Sequence, residues 1–235
     1  MKKIKIYGDS ILKGVMYNDE LKRYKLFGYR YEQLTDNGIE VENNCKMGAT
    51  IDEGLEIMKA TLKDCDKDTV VVLEYGGNDC DFNWAEVSAA PTEVHLPNTP
   101  LDTFESLYID TVRNLKAKGT MPILCNLVPV CSDRYLSWIT RSGLCKENIL
   151  RWLGDENAIY RFQERYSRKI EEIAKKESCP LIDLRGAFLD VRQMETLFCR
   201  DGIHPNEQGQ ALICDTFKNA IENSRLLFSK KPCAS

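Results

Sequence analysis

The sequence has few histidines, and it lacks the closely paired cysteines that are typical of metal and redox sites. Only two of its 235 residues are histidine, His95 and His204, and two are too few for most zinc clusters. Its ten cysteines are scattered and contain no C-x-x-C pair, which indicates reduced thiols rather than a disulfide framework. No G-x-G-x-x-G or P-loop sequence is present either, which argues against a flavin or dinucleotide enzyme. We therefore expect no metal ion and no cofactor.

Long apolar runs and an excess of positive charge are also missing. No run of about eighteen apolar residues occurs, so we expect no membrane span. The net charge of −4 argues against a nucleic acid or an anionic membrane as a partner, because both require a basic face. The N-terminal lysines pass directly into a strand pattern without the apolar core of a signal peptide, which predicts a cytoplasmic protein.

The patterns that are present predict one α/β domain over residues 1–235. Charged residues make up 29 % and hydrophobic residues 43 % of the chain, as in ordinary globular proteins. Short apolar or alternating runs predict five strands, at residues 2–7, 39–44, 69–74, 122–128 and 180–183. Helical patterns lie between them, and this alternation is typical of a parallel sheet covered on both faces.

Several local predictions accompany this outline. Residues 11–36 are predicted to be mainly helical and to end at Gly38, and residues 80–100 to form a polar loop. Thr50 and Glu53 have capping-box spacing for a helix over residues 51–64. Thr99 and Pro100 predict the start of another helix, as cap and first helical residue. Residues 131–157 are long for a connection and are predicted to be an insertion that forms a lid or pocket wall.

Three of the predicted strands end in residues suited to chemistry. Gly8-Asp9-Ser10 follows the first strand, Gly48 the second, and Gly77-Asn78-Asp79 the third. Right-handed crossovers bring the carboxyl ends of parallel strands to one edge of the sheet, where open α/β folds bind ligands. Asp201 and His204 lie just before the last helix and can reach the same edge.

These residue types together suit acyl transfer. A serine hydroxyl becomes a good nucleophile when a base removes its proton, and histidine serves as that base near neutral pH. An acceptor such as Asp201 holds the far ring nitrogen of His204 in the correct tautomer. The developing oxyanion needs donors, and the candidates are the N–H groups of Ser10 and Gly48 and the side-chain amide of Asn78.

The four blocks resemble those of the SGNH (GDSL-type) hydrolases, in the same order and over nearly the whole chain. They are Gly8-Asp9-Ser10, Gly48, Gly77-Asn78-Asp79 and the run from Asp201 to Pro205. The resemblance implies a flavodoxin-like three-layer α/β/α sandwich and a triad of Ser10, His204 and Asp201. It also implies an oxyanion hole formed by Ser10, Gly48 and Asn78.

The substrate is less closely specified. The chain departs from the family pattern at Glu74-Tyr75 and after Asp79, where the residues are expected to reshape the substrate pocket. Phe82, Trp84 and Trp138 are candidate pocket residues. We expect a serine esterase that removes a small acyl group, acetyl above all, from carbohydrate or another polar alcohol. A lysophospholipase or thioesterase, and a non-catalytic small-molecule binding module, stay open, as does the oligomeric state.

Overall fold

The computed structural model describes residues 3–28, 40–62 and 69–228, with side chains up to residue 220. The strands are β1 (Lys3–Gly8), β2 (Val15–Asn18), β3 (Arg23–Leu26), β4 (Glu40–Asn43), β5 (Thr69–Glu74), β6 (Met121–Cys125) and β7 (Leu181–Ile182). The helices are α1 (Ser10–Lys13), α2 (Ile51–Thr61), α3 (Trp84–Ala89), α4 (Leu101–Ala117), α5 (Ser132–Thr140), α6 (Lys146–Leu153), α7 (Ala158–Lys176), α8 (Leu184–Leu189) and α9 (Glu207–Phe228), with a 3₁₀ turn at Met194–Leu197. Across these described ranges, no helix combines the length and the hydropathy needed to cross a bilayer.

Five of the strands form one parallel sheet in the order β4-β1-β5-β6-β7. β1 and β5 pair along their full length at its centre, from Lys3 opposite Thr69 to Gly8 opposite Glu74. Successive side chains of a strand point to opposite faces, and each face packs against helices. Ile6 and Val72 join one buried cluster, which includes Phe217 of α9. The prediction of a central parallel sheet of about five strands between two helical layers is confirmed.

The prediction that residues 11–36 are mainly helical is wrong for the part that the structure describes. Helix α1 has a single turn and ends at Gly14, whose φ of +79° is the left-handed conformation that glycine adopts without strain. The chain then forms an antiparallel hairpin of β2 and β3, with Tyr17 opposite Tyr24. Residues 29–39, and with them Gly38, lie outside the described residues.

The loop predicted over residues 80–100 contains a short helix, α3. Asn83 accepts a hydrogen bond from the Glu86 N–H, and its amide donates to the Glu86 carboxylate. Asn83 is therefore the N-cap of α3, and asparagine is among the residues most preferred at this position. The prediction missed α3 because the flanking residues are polar and the helix is only six residues long.

Two helices are capped differently from the predictions. Thr50 stands at the N-cap of α2 without a side-chain cap bond, so the predicted capping box does not form. The Asp79 carboxylate accepts the Ile51 N–H instead, at 3.0 Å. At α4, Pro100 is the N-cap and Leu101 the first helical residue. Thr99 lies outside the helix, because its N–H donates to the Asp79 backbone carbonyl and its own carbonyl accepts from the Tyr166 hydroxyl.

The fourth and fifth strands of the sheet are shorter than predicted. β6 ends at Cys125 instead of residue 128, because its neighbour β7 has only two residues and the ladder ends with it. Beyond that point the Asn126 N–H still donates to the Ile182 carbonyl oxygen, whereas the Leu127 N–H donates to the Ser167 hydroxyl.

The predicted insertion over residues 131–157 folds as helices α5 and α6. Its buried side chains include Leu136 and Ile149, which pack with Trp84 and Val87 of α3 in a hydrophobic cluster outside the two faces of the sheet. Tyr135 belongs to the same cluster and also lines the pocket beside Ser10. Tyr135 thus brings helix α5 to the pocket at the carboxyl edge of the sheet.

The buried cap of α2 leads to a prediction about stability. Burial raises the pKa of Asp79 to about 6, although hydrogen bonds from Thr99 and Ile51 act against the shift. A carboxyl with a raised folded-state pKa stabilises the fold when protonated, and this contribution is lost as the pH rises through about 6. Asp79→Asn keeps an acceptor for the Ile51 N–H and removes the titration. Relative to this variant, the wild type should gain about 1 kcal/mol of unfolding free energy between pH 7.5 and 5.

The measurement is urea unfolding of both proteins at the two pH values. Asp52→Asn is the matched control, because Asp52 is an exposed carboxylate in the first turn of the same helix. Parallel pH profiles for the wild type and Asp79→Asn would contradict the assignment of this titration to Asp79.

Candidate active site

Ser10 lies where β1 meets α1, at the carboxyl edge of the sheet. The Asp9 carboxylate holds the turn by accepting the Ile11 N–H at 2.8 Å. Ser10 is the first residue of α1 and is 7 % exposed. The N–H of a first helical residue has no partner within its helix. The turn therefore presents both the hydroxyl and the N–H of Ser10 at one point.

The three residues of the predicted triad are brought together by this fold. His204 Nε2 is 2.9 Å from Ser10 Oγ, and His204 Nδ1 is 2.7 Å from Asp201 Oδ2. Both contacts are buried, although Ser10 and His204 are 194 residues apart in sequence. The arrangement can relay a proton from the serine hydroxyl to a histidine that a carboxylate orients.

The loop from Asp201 to His204 is held rigidly against α5. Asp201 Oδ1 accepts the backbone N–H groups of Ile203 and His204, at 3.2 and 3.1 Å. Gly202 has φ +77°, and a Cβ there would lie 2.6 Å from the Cys131 carbonyl oxygen. Burial acts to raise the pKa of Asp201, but the hydrogen bonds and charge from His204 and the loop N–H groups outweigh it and hold the pKa below its usual value. Asp201 is therefore ionised at neutral pH.

The three candidate oxyanion donors are not all equivalent in position. Asn78 lines the same pocket as Ser10 and His204, whereas Gly48 does not line it. Gly48 lies in an exposed turn after β4, with φ +78°. The Asn78 amide nitrogen is 3.0 Å from Asp9 Oδ2 and 3.2 Å from the Ala49 carbonyl oxygen. These contacts direct the amide toward the turn that carries Ser10.

A second buried acid, Glu74, lies beside Asp9. The sequence predicts that Glu74 reshapes the substrate pocket, but it assigns this residue no chemical role. Both side chains are 1 % exposed and line the pocket. Burial raises the pKa of Asp9 to about 6, and burial together with the charge of Asp9 raises the pKa of Glu74 well above its usual value. Two carboxyls in contact in a dry site cannot both ionise. Asp9 accepts hydrogen bonds from the Ile11 N–H and the Asn78 amide, which favour its ionised form, so protonation of the pair is favoured at Glu74.

The pocket beside Ser10 has a volume of about 80 Å³. Two of the candidate pocket residues, Phe82 and Trp84, line it, and Trp138 lies elsewhere. Asp81 is fixed at the pocket wall by the Trp84 indole N–H, at 2.8 Å, and by the Tyr135 hydroxyl, at 2.5 Å. Apart from Asp81 and the residues near Ser10, the side chains that line the pocket are mainly aromatic and aliphatic.

The hairpin of β2 and β3 adds aromatic residues that the sequence reasoning missed. The Tyr24 ring lies 5.0 Å from the His204 ring, and Tyr24 interacts with the Asp201 carboxylate. Burial, followed by the charge of Asp201, raises the pKa of the Tyr24 hydroxyl. Tyr17 and Trp138 pack against Tyr24, with ring centroids 5.3 and 6.4 Å away. No local pattern in the sequence marks these residues, because their position depends on contacts with Trp138, more than a hundred residues away along the chain.

Comparison with known proteins identifies the family. The model of the GDSL-like Lipase/Acylhydrolase family matches residues 6–212. The fold is similar to a lipase/acylhydrolase from Enterococcus faecalis, with a TM-score of 0.64 and 19 % identity over 95 % of this chain and 97 % of that one. It is also similar to Axe2, an acetylxylan esterase from Geobacillus stearothermophilus, with a TM-score of 0.63 and 18 % identity over 94 % of each chain. No curated protein matches the sequence. The chain belongs to the GDSL-like lipase/acylhydrolase family of ester hydrolases.

Proposed function

We propose that this protein is a serine esterase that removes a short acyl group, acetyl above all, from a carbohydrate or similar polar alcohol. The single observation that carries the proposal is the buried series of contacts from Ser10 Oγ through His204 to Asp201, at 2.9 and 2.7 Å, beside a small pocket. Residues 1–235 act as one domain, and residues 131–157 form a wall of its active site.

The proposed reaction has two half-steps. His204 takes the proton of Ser10 as Oγ attacks the ester carbonyl, and the resulting imidazolium is stabilised by Asp201. The oxyanion accepts hydrogen bonds from the Ser10 N–H and the Asn78 amide, with Gly48 as a third donor if its turn moves toward the substrate. His204 then protonates the leaving alcohol, which leaves an acyl-enzyme on Ser10. In the second half-step His204 takes a proton from water as the water attacks the acyl carbonyl. His204 then returns a proton to Ser10 Oγ, and the carboxylic acid leaves.

The size of the pocket supports a short acyl group. A cavity of about 150 Å³ in an engineered protein admits benzene, whereas the pocket beside Ser10 has about 80 Å³. A larger pocket of about 340 Å³ adjoins it and shares Phe82 and Phe162 as walls. Those rings therefore separate the reactive serine from space that a long acyl chain would need.

Hydrolysis of para-nitrophenyl esters of increasing length tests this proposal. We expect kcat/KM to fall by about 10- to 100-fold from acetate to octanoate, because a longer chain overpacks the pocket at a cost of about 1–3 kcal/mol. Phe82→Ala should join the two pockets and move the optimum to longer chains. Leu96→Ala is the control, since Leu96 is 70 % exposed and lines only the larger pocket.

Two outcomes would favour the alternatives. If the wild type prefers octanoate, the lysophospholipase or thioesterase assignment replaces the acetyl preference. If it hydrolyses neither these esters nor acetylated xylo-oligosaccharides but binds the deacetylated sugar, it is a binding module and the esterase proposal fails.

A further inference from the structure

A groove of about 560 Å³ lies apart from the pocket beside Ser10 and shares no lining residue with it. Its volume is in the range of ordinary small-molecule sites. The lining residues come from the β2 strand, from α5 and α6 and their connections, and from the loop before Asp201. They are Tyr17, Asp133, Arg134, Ser137, Trp138, Arg141, Lys146, Glu156 and Arg200.

Positive charge predominates in this groove. Four of the lining side chains are cationic, against the two carboxylates of Asp133 and Glu156, in a chain whose net charge is −4. Within the described part of the chain, none of the four cations lies in an ion pair with a carboxylate. Arg134 and Arg141 donate only to backbone carbonyls, those of Glu195 and Phe198 and that of Trp138. Their positive charge is therefore uncompensated by a direct partner.

Aromatic contacts link a wall of the groove to the catalytic residues. Tyr24 packs on His204 at 5.0 Å, and Trp138 follows at 6.4 Å from Tyr24. The Arg141 guanidinium lies 3.6 Å from the centre of the Trp138 ring, on its face. One of its N–H groups donates to the Trp138 carbonyl oxygen, and the remaining N–H groups of the planar guanidinium can bind a carboxylate or phosphate.

The loop that carries Asp201 and His204 also reaches the groove directly. Arg200 precedes Asp201 in sequence and lines the groove. The Arg134 Cβ lies so close to Gly202 that a Cβ added to this glycine would be 2.8 Å away. Arg200 and Arg134 are thus attached to the segments that position His204.

We propose that this groove binds the alcohol part of the substrate, and that this alcohol is an acidic sugar residue carrying a carboxylate or a phosphate. The inference rests on the proposed esterase function, in which the acyl group occupies the pocket beside Ser10 and the alcohol must lie outside it. Arginine donors bind carboxylate and phosphate oxygens in pairs, and the rings of Tyr17 and Trp138 provide apolar surface for the carbon side of a sugar.

The test compares three acetylated methyl glycosides that differ only in the group at C6: a glucoside, a glucuronide and a glucoside 6-phosphate. We expect kcat/KM to be about tenfold higher for an acidic ester than for the neutral one at low salt, the effect of two or three exposed charge contacts. The preference should shrink at about 0.5 M salt, where exposed charges are screened. The glucuronide and phosphate arms decide which anion the groove prefers.

Charge-removing variants locate the effect. Arg141→Gln and Lys146→Gln, at two exposed positions on different elements, should each lower the ratio of acidic to neutral kcat/KM by about threefold. Lys118→Gln is the matched control, because Lys118 is an exposed cation at the end of α4, next to the amino end of β6. A ratio near one, or a ratio that falls equally in the control, would overturn the inference.

A binding measurement separates this inference from the esterase proposal. Titration calorimetry of the wild type with methyl glucuronide, methyl glucoside 6-phosphate and methyl glucoside needs no turnover. Selective binding of an acidic glycoside, weakened by Arg141→Gln, supports the groove even if no ester is hydrolysed. Hydrolysis of para-nitrophenyl acetate without selective binding or an acidic preference supports the esterase and rejects the groove.

Discussion

Replacing either Ser10 or His204 with alanine should lower kcat for para-nitrophenyl acetate by about 10⁴- to 10⁶-fold, and the two losses should be similar. Ser10 Oγ and His204 Nε2 share one buried hydrogen bond of 2.9 Å. Neither residue can form the acyl-enzyme without the other. The double variant should therefore be scarcely slower than either single variant, because members of a catalytic unit are not additive. Stopped-flow and long-time assays on folded protein, checked by circular dichroism, measure these losses.

His95→Ala is the control for histidine loss. His95 Nε2 contacts the Ala90 carbonyl oxygen at 2.9 Å, and its ring packs against Trp152 at 5.5 Å. These contacts are local, and no carboxylate orients the ring among the described residues. Turnover should therefore persist in His95→Ala. An inactive, folded His95→Ala together with an active His204→Ala would move the base to His95 and refute the proposed triad.

The parts of the fold that could be predicted from sequence are those that one local pattern determines. The run from Thr69 to Glu74 is β-branched and apolar, and it forms β5 with the predicted bounds. Such a run is buried on both faces only in the centre of a parallel sheet, and β5 does pair with β1 and β6. Alternation of these strands with helices then determined the architecture.

The hairpin of β2 and β3 could not be predicted because its strands satisfy no local pattern. Each has four residues, and the only buried side chains among them are Val15 and Met16. Its position depends on tertiary contacts, in particular on the packing of Tyr17 and Tyr24 against Trp138, more than a hundred residues later. A pattern read along the chain carries no information about such contacts.

The candidate site shows the same division. Ser10 and Asn78 could be chosen from sequence because they follow strands, and strand ends of a parallel sheet converge on one edge. Asp201 and His204 could be chosen because they lie just before the last helix and can reach the same edge. The role of Glu74 depends on a neighbour that only the β1–β5 pairing supplies, since this pairing sets Glu74 opposite Gly8 and beside Asp9. The position of Trp138 depends on how α5 packs, which the sequence does not specify.

Replacing Asn78 with alanine should lower kcat for para-nitrophenyl acetate by about 10²- to 10³-fold with little change in KM. One preorganised donor to the oxyanion is then lost, and such a donor acts mainly in the transition state. The Asn78 amide is held at 3.0 Å by Asp9, a contact that does not depend on substrate. Its second hydrogen faces the Ala49 carbonyl at the longer distance of 3.2 Å, and an oxyanion, being charged, is the stronger acceptor. Steady-state kinetics on protein of unchanged melting temperature measures this effect.

Two further variants separate the donor from the scaffold around it. Asn98→Ala is the matched control, because the exposed Asn98 amide donates only to the Asn78 backbone carbonyl, at 2.9 Å, and its loss should change kcat little. Asn78→Asp keeps the shape of the side chain but places a carboxyl beside Asp9 and Glu74, two acids whose pKa values burial already raises. Where that carboxyl is ionised it repels the oxyanion, so kcat of Asn78→Asp relative to that of Asn78→Ala should fall as the pH rises. If Asn78→Ala turns over at the wild-type rate, the side chain of Asn78 holds the turn but does not contact the transition state, and the oxyanion hole must be completed by backbone N–H groups alone.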